Sequence, residues 1–171
     1  MSQSHSKNRI SIALAGVLCT TSVLVAAPAR AQPAGAAIEV GSANIANTAG
    51  GNTIVTQTSQ KALINWQDFS VASGTSAIFD QPNSAAITLN RVVGANASAI
   101  DGNISANGQV WLINPNGIMF GAGSQIDVGG LIATTSDMAT ADFLDGQYNF
   151  GIASANANAR VVNRGTIRIL P

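Results

Sequence analysis

Four residues, Ile104, Val110, Ile118 and Ile126, recur every 6 to 8 positions, each followed within one or two residues by another apolar residue or a turn. From Ile104 to Ile126 the chain passes three turns in 22 residues. That suits one coil of a parallel β-helix, in which three short strands wind round and the next coil stacks above. The surrounding chain has the same texture. Short apolar runs fall at 54–58, 77–80, 86–90, 102–105, 109–113, 117–120, 125–128, 131–134 and 161–169, punctuated by Gly, Asn, Asp and Ser. Several alternate apolar with polar residues, as half-buried strands require. Runs this short with turns this frequent predict an all-β fold. The competing all-β architecture is a Greek-key sandwich, whose strands are longer and turns fewer. Outside the amino-terminal stretch no window of 12 or more residues carries a helical period. Residues 137–143 alone suggest a short helix or loop excursion, with Asp137 as its cap.

Not all 171 residues belong to this pattern. Lys7 and Arg9 precede an uncharged run from Ile10 to Ala27, Pro28 breaks it, and Ala29-Arg30-Ala31 offers an A-x-A cleavage site. Residues 1–31 therefore read as a secretory signal peptide. The alternative, a membrane-spanning helix, meets the lower length limit but is diluted by Ala, Ser, Thr and Gly. Removing the leader takes Lys7, Arg9 and Arg30 with it, leaving five basic residues against eight acidic ones. No basic patch remains, so a nucleic-acid partner is not expected. Cys19 and His5 are the chain's single cysteine and histidine, and both lie in the leader. The mature chain is thus expected to hold neither a disulfide nor zinc. A disulfide would cross-link a chain that had to pass a second membrane unfolded.

Residues 112–121 read LINPNGIMFG. Proline cannot donate a ladder hydrogen bond and does not belong in a central strand. Asn114-Pro115-Asn116-Gly117 is turn chemistry set between two apolar clusters: proline presets φ, while Asn and Gly tolerate left-handed backbone.

With these residues in view, the chain resembles the amino-terminal secretion (TPS) domain of two-partner secretion exoproteins, the filamentous haemagglutinin and high-molecular-weight adhesin family. The matching stretches are QTSQKALINWQDFSV (57–71), FDQP (79–82), LNRVVG (89–94), SAIDGNISANGQVWLINPNGIMFG (98–121), IDVGGLIATT (126–135), DFLDGQYNF (142–150) and VVNRGTI (161–167). The resemblance implies a right-handed parallel β-helix over 32–171 with an amino-terminal cap and short extra-helical hairpins. It implies export by the Sec machinery and signal peptidase, then recognition by a cognate outer-membrane β-barrel transporter with POTRA domains. The exoprotein would end outside a Gram-negative cell or on its surface, and host-cell glycans or proteins would be met by a carboxyl-terminal region beyond this chain. It also implies a secretion motif at Asn114, Pro115, Asn116 and Gly117. A second motif of some members, Asn-Pro-Asn-Leu, is missing: Gln81-Pro82-Asn83 and Leu89-Asn90-Arg91 are not equivalents. That places the chain nearer the high-molecular-weight adhesins. The run Val161–Ile169 looks like the start of another coil, so a longer β-helical region is expected to follow.

The rival function is a carbohydrate-active β-helix enzyme or a sugar-binding module, since fold alone does not set function. Sugar cleavage usually needs paired carboxylates. Asp80, Asp101 and Asp127 are spread along the chain beside turn residues, where Asp commonly serves local hydrogen bonds. Trp66 and Trp111 could form sugar platforms but read better as core or cap, with Ile64, Trp66 and Phe69 plugging the end of the solenoid. Arg91, Arg160, Arg164 and Arg168 are expected at the surface, solvated or paired. Gly121–Asp127 lacks the spacing and repetition of a calcium nonapeptide, and no phosphate-binding G-x-x-x-x-G-K loop occurs. No cofactor, metal site or catalytic residue is expected.

Overall fold

The computed structural model describes residues 31–171, so the expected leader, apart from Ala31, lies outside the described residues. Fourteen strands and one short helix form three sheets, the faces of a solenoid. The first face stacks β2 (Ala43–Asn47), β3 (Thr53–Gln57), β5 (Ser76–Asp80), β8 (Asn103–Ala106), β11 (Gln125–Val128) and β14 (Thr166–Ile169). The second stacks β1 (Ala37–Val40), β4 (Lys61–Trp66), β6 (Ile87–Val92), β9 (Gln109–Ile113) and β12 (Gly130–Thr134). The third holds β7 (Ser98–Ile100), β10 (Ile118–Phe120) and β13 (Val161–Asn163). The expected right-handed parallel β-helix is the architecture observed.

The spacing that predicted the coil is its geometry. Ile104 lies on β8, Val110 on β9 and Ile118 on β10, and Ile126 on β11 then pairs directly above Ile104. The same inward ladder continues below, Ala77 opposite Ile104. Val55, Ile64, Phe69, Phe79, Leu112 and Phe120 fill the interior with them. Burying a side chain of this size stabilises the fold by about 1.5–3 kcal/mol.

A second core, which the sequence does not announce, lies outside the second face. Leu63, Leu89, Trp111 and Ile113 project outward and are covered by Met138 and Phe143, with Val40, Ile132 and Phe150 at its margin. Met138, Phe143 and Phe150 come from a long excursion, residues 135–160, that leaves the solenoid between β12 and β13. Burial on both sides explains why β6 is buried at every position and β9 at all but its first. Trp66 and Trp111 are both core residues, 1% and 4% exposed. They belong to different cores: Trp66 packs edge-on against Phe69 inside the coil, whereas Trp111 meets Phe143, Tyr148 and Phe150 outside it.

The amino end is closed by antiparallel pairing. β1 runs against β4 with a register shift between Ile38 and Val40, and β2 runs against β3. β1 is mostly exposed, and β2 half-buries only Ala43 and Ile45 against the inner core, so each gives a weak strand signal in the sequence. Three expectations need correction. Val161–Ile169 is two strands, not one, because Gly165 turns a corner where an added Cβ would stand 2.1 Å from Ser124 Oγ. The excursion does form a helix, α1 (Thr140–Asp145), but its cap position is Ala139, which makes no side-chain cap hydrogen bond. Asp137 is instead held by Arg91, and Arg91 is no surface group: it is 9% exposed.

Arg91 is where cap, coil and excursion meet. Its Nε donates to Asp137 Oδ1 (2.9 Å) and its Nη2 to the Met138 carbonyl (2.8 Å), while Nη1 donates to Thr140 Oγ1 (3.2 Å) and Glu39 Oε2 (3.4 Å). Lys61 adds a second tie, donating to the last-turn carbonyls of Phe143 and Leu144 at 2.8 and 3.0 Å, where a cation also complements the helix dipole. The Thr140 hydroxyl and then the Asn65 amide donate to Glu39, and with the Arg91 charge they hold its carboxyl below the ordinary 4.5 against the opposing effect of burial. A depressed carboxylate contributes stability that is present above its unfolded value and lost as pH falls through its folded one. Glu39→Gln is therefore expected to flatten the fall in melting temperature below pH 4.5. Thermal unfolding of both proteins across that range checks this, and parallel acid limbs would refute it.

Candidate functional site

The corner between β9 and β10 is built from Asn114, Pro115, Asn116 and Gly117. Gly117 N–H donates to the Asn114 carbonyl (3.0 Å), closing a four-residue turn with proline at its second position. Asn114 Oδ1 accepts from Asn116 N–H (2.8 Å), an Asx turn laid over the first. Only Gly117 takes a left-handed φ, +111°, and a Cβ there would stand 3.1 Å from the Arg160 carbonyl. Asn116 has no positive φ, so its left-handed tolerance is not what the corner uses.

The remaining bonds run between coils. Downward, Asn114 Nδ2 donates to the Asn96 carbonyl (3.0 Å) and Ser98 Oγ (2.9 Å), and Asn116 Nδ2 donates to the Gly94 carbonyl (2.9 Å). Upward, Asn114 N–H donates to the Thr134 carbonyl (3.0 Å) and Ile118 N–H to the Arg160 carbonyl (2.9 Å). Ser154 Oγ donates to the Pro115 carbonyl (2.5 Å), tying in the excursion. Asn114 is fully buried, Gly117 buried, and Pro115 and Asn116 half-buried. The turn is legible from its residues. Its partners Gly94, Asn96, Ser98, Thr134, Ser154 and Arg160 are not, because they are neighbours only once the coils stack. The corner carries no charge and no nucleophile. Its polar groups spend their hydrogen bonds on holding three successive levels in register.

The acids weighed for catalysis are arranged differently. Asp80 and Asp127 line one shallow depression on the first face with Ile78, Ser105, Asn107 and Leu170. Their strands are two apart and their positions offset by two residues. Standard sheet spacings put the two backbones roughly 12 Å apart, against carboxyl separations of about 5–9.5 Å in sugar hydrolases. Asp127 faces Arg168 at 3.7 Å. Asp101 lies at another corner, against Gly121. Among the described residues no group of three or more His, Cys, Asp or Glu comes together, and no helix is long and apolar enough to cross a membrane.

Fold and corner together define a short parallel β-helix, closed at its amino end by antiparallel strands and carrying a helical excursion on one face. The model of one family, the TPS secretion domain, matches residues 29–169. Two proteins called heme/hemopexin-binding protein, both from Haemophilus influenzae, are similar. One is 40% identical over 110 residues, covering 64% of this chain and 12% of the relative. The other, from strain ATCC 51907, is 38% identical over 122 residues, covering 71% and 13%. The crystal structure of the HMW1 secretion domain from Haemophilus influenzae matches with a TM-score of 0.74 at 31% identity, over 79% of this chain and 36% of that one. The chain belongs to the TPS secretion domain family, the secretion domains of two-partner secretion exoproteins. It spans only 12–13% of the length of the curated relatives it matches.

Proposed function

We propose that residues 32–171 are the export address of an exoprotein, presented in the periplasm to a cognate outer-membrane transporter with POTRA domains after Sec export and removal of residues 1–31. The observation that carries this reading is the family match, which runs through nearly all of the described chain. Within the domain, Asn114, Pro115, Asn116 and Gly117 serve export by shaping the corner rather than by touching the transporter. Burial supports this, since Asn114 has no surface to offer. Contact with the transporter falls to sheet edges, which bind extended partners through backbone hydrogen bonds with little demand on sequence. β2 is one candidate, an edge strand free of charge and proline.

The two Haemophilus relatives are named for heme or hemopexin binding. The part of them that this chain matches is small, and the property proposed for it is passage out of the cell. The test is reconstitution in a Gram-negative host, with or without a two-partner secretion transporter from the same genome. The chain should reach the medium only when the transporter is present. Equal release from both strains would end the proposal.

A further inference from the structure

An Asn–Gly step is chemically labile. The glycine nitrogen attacks the asparagine Cγ, ammonia leaves and a succinimide closes; water then opens the ring to aspartate or isoaspartate. Glycine favours the attack because it carries no side chain to hinder it. The chain contains two such steps, Asn107-Gly108 and Asn116-Gly117, and both lie at solenoid corners.

The fold disarms both in the same way. At the second, Gly117 N–H is engaged by the Asn114 carbonyl, and the Asn116 carboxamide is tethered to Gly94 one coil below. At the first, Gly108 N–H donates to Gln81 Oε1 (3.0 Å). The Asn107 carboxamide bonds both ways with the Gln81 backbone: Nδ2 donates to its carbonyl (2.6 Å) and Oδ1 accepts from its N–H (2.7 Å). Gln81 is itself buried and belongs to the coil below. In each case the attacking nitrogen already donates its proton to another oxygen, and the carbon it would attack is held by a neighbouring coil.

We propose that Asn107 and Asn116 are deamidation sites that the folded domain keeps closed and the unfolded chain leaves open, and that conversion at Asn116 yields a chain with a weakened corner. The product carries a carboxylate where Nδ2 donated to the Gly94 carbonyl, so a donor becomes an acceptor facing an acceptor. Isoaspartate also lengthens the main chain within the turn. The cellular meaning rests on the export reading, in which the chain crosses the outer membrane without its fold: the two steps stay closed until the corners open.

The test needs no transporter. The purified chain is held folded, or unfolded in guanidinium chloride, in the same mildly alkaline buffer and sampled by peptide mass mapping. Asn107 and Asn116 should convert in the unfolded arm and at least about tenfold more slowly in the folded arm, where reaction waits for the corner to open. After dilution to intermediate denaturant, unmodified molecules should regain their sheet signal, and molecules converted at Asn116 should be enriched in the non-native fraction. Asn116→Asp supplies the aspartate product uniformly and should unfold at lower denaturant than the wild type. Equal rates in the two arms, no conversion in the unfolded arm, or wild-type stability of molecules converted at Asn116 would overturn the proposal. Each of these results leaves the export reading untouched, and a failed secretion assay leaves this chemistry standing.

Discussion

Asn114→Ala will cost about 2–4 kcal/mol of folding stability and will cut export of the chain. Asn114 is fully buried, and its side chain makes three hydrogen bonds, to the Asn96 carbonyl, Ser98 Oγ and Asn116 N–H. Alanine deletes all three and leaves buried groups without partners, which costs more than the bonds themselves contribute. Asn116→Ala removes one side-chain bond at a half-buried position, so its cost should be nearer 1 kcal/mol. Denaturant unfolding of the purified variants measures both. Ser98→Ala separates shape from contact. It takes away an acceptor of Asn114 from a buried position outside the motif. If the corner acts through its shape, export should fall in proportion to stability across all three variants. Wild-type export from a destabilised Ser98→Ala chain would instead favour direct reading of the motif by the transporter.

Arg91→Met should cost about 3 kcal/mol and loosen the excursion from the second face. The arginine holds Asp137, Met138 and Thr140 of the excursion together with Glu39 of β1. Methionine keeps much of the stem's packing and removes the whole fork. Asp137 and Glu39 then lose their cation; their side chains are 25% and 37% exposed, and solvent screening limits the cost to the lower end of the range for broken buried pairs. Arg91→Lys should rescue little, because one ammonium cannot reproduce a planar fork that reaches four acceptors. The reporter is built in: Trp111 packs against Phe143, Tyr148 and Phe150. Its emission should shift to the red in Arg91→Met, with faster amide exchange over the excursion. Unchanged emission and melting would show that aromatic packing alone holds the excursion down.

The interior of the solenoid is legible in the sequence because its cause is local. Inward residues repeat along one chain at coil spacing, so Ile104 and Ile126 declare their pairing by their separation alone. The outer core is not legible, because its two halves lie far apart in sequence: Leu63, Leu89 and Trp111 on one side, Met138 and Phe143 on the other. A run such as QVWLI shows only that both faces are apolar, not what covers the second. Arg91 misleads for the same reason. A lone arginine is ordinarily solvated, and the carboxylate that buries this one lies 46 positions away. Asp137 has the form of a helix cap, but a charged partner outcompetes the helix end. The motif is half legible: Pro115 and Gly117 announce a turn, whereas the bonds from Asn114 to the coil below exist only after stacking.

The excursion leaves and rejoins the wall of the solenoid without disturbing it. Ile104 and Ile126, 22 residues apart, are stacked partners, and so are Ile126 and Ile167, 41 apart. The rung closes on itself whether or not a lobe hangs from its corner. A scaffold with this property can accept new surface at one vertex while its spine keeps a constant pitch. The pitch is thereby independent of how many residues leave at that vertex, although whatever hangs there must still cover Leu63, Leu89 and Trp111.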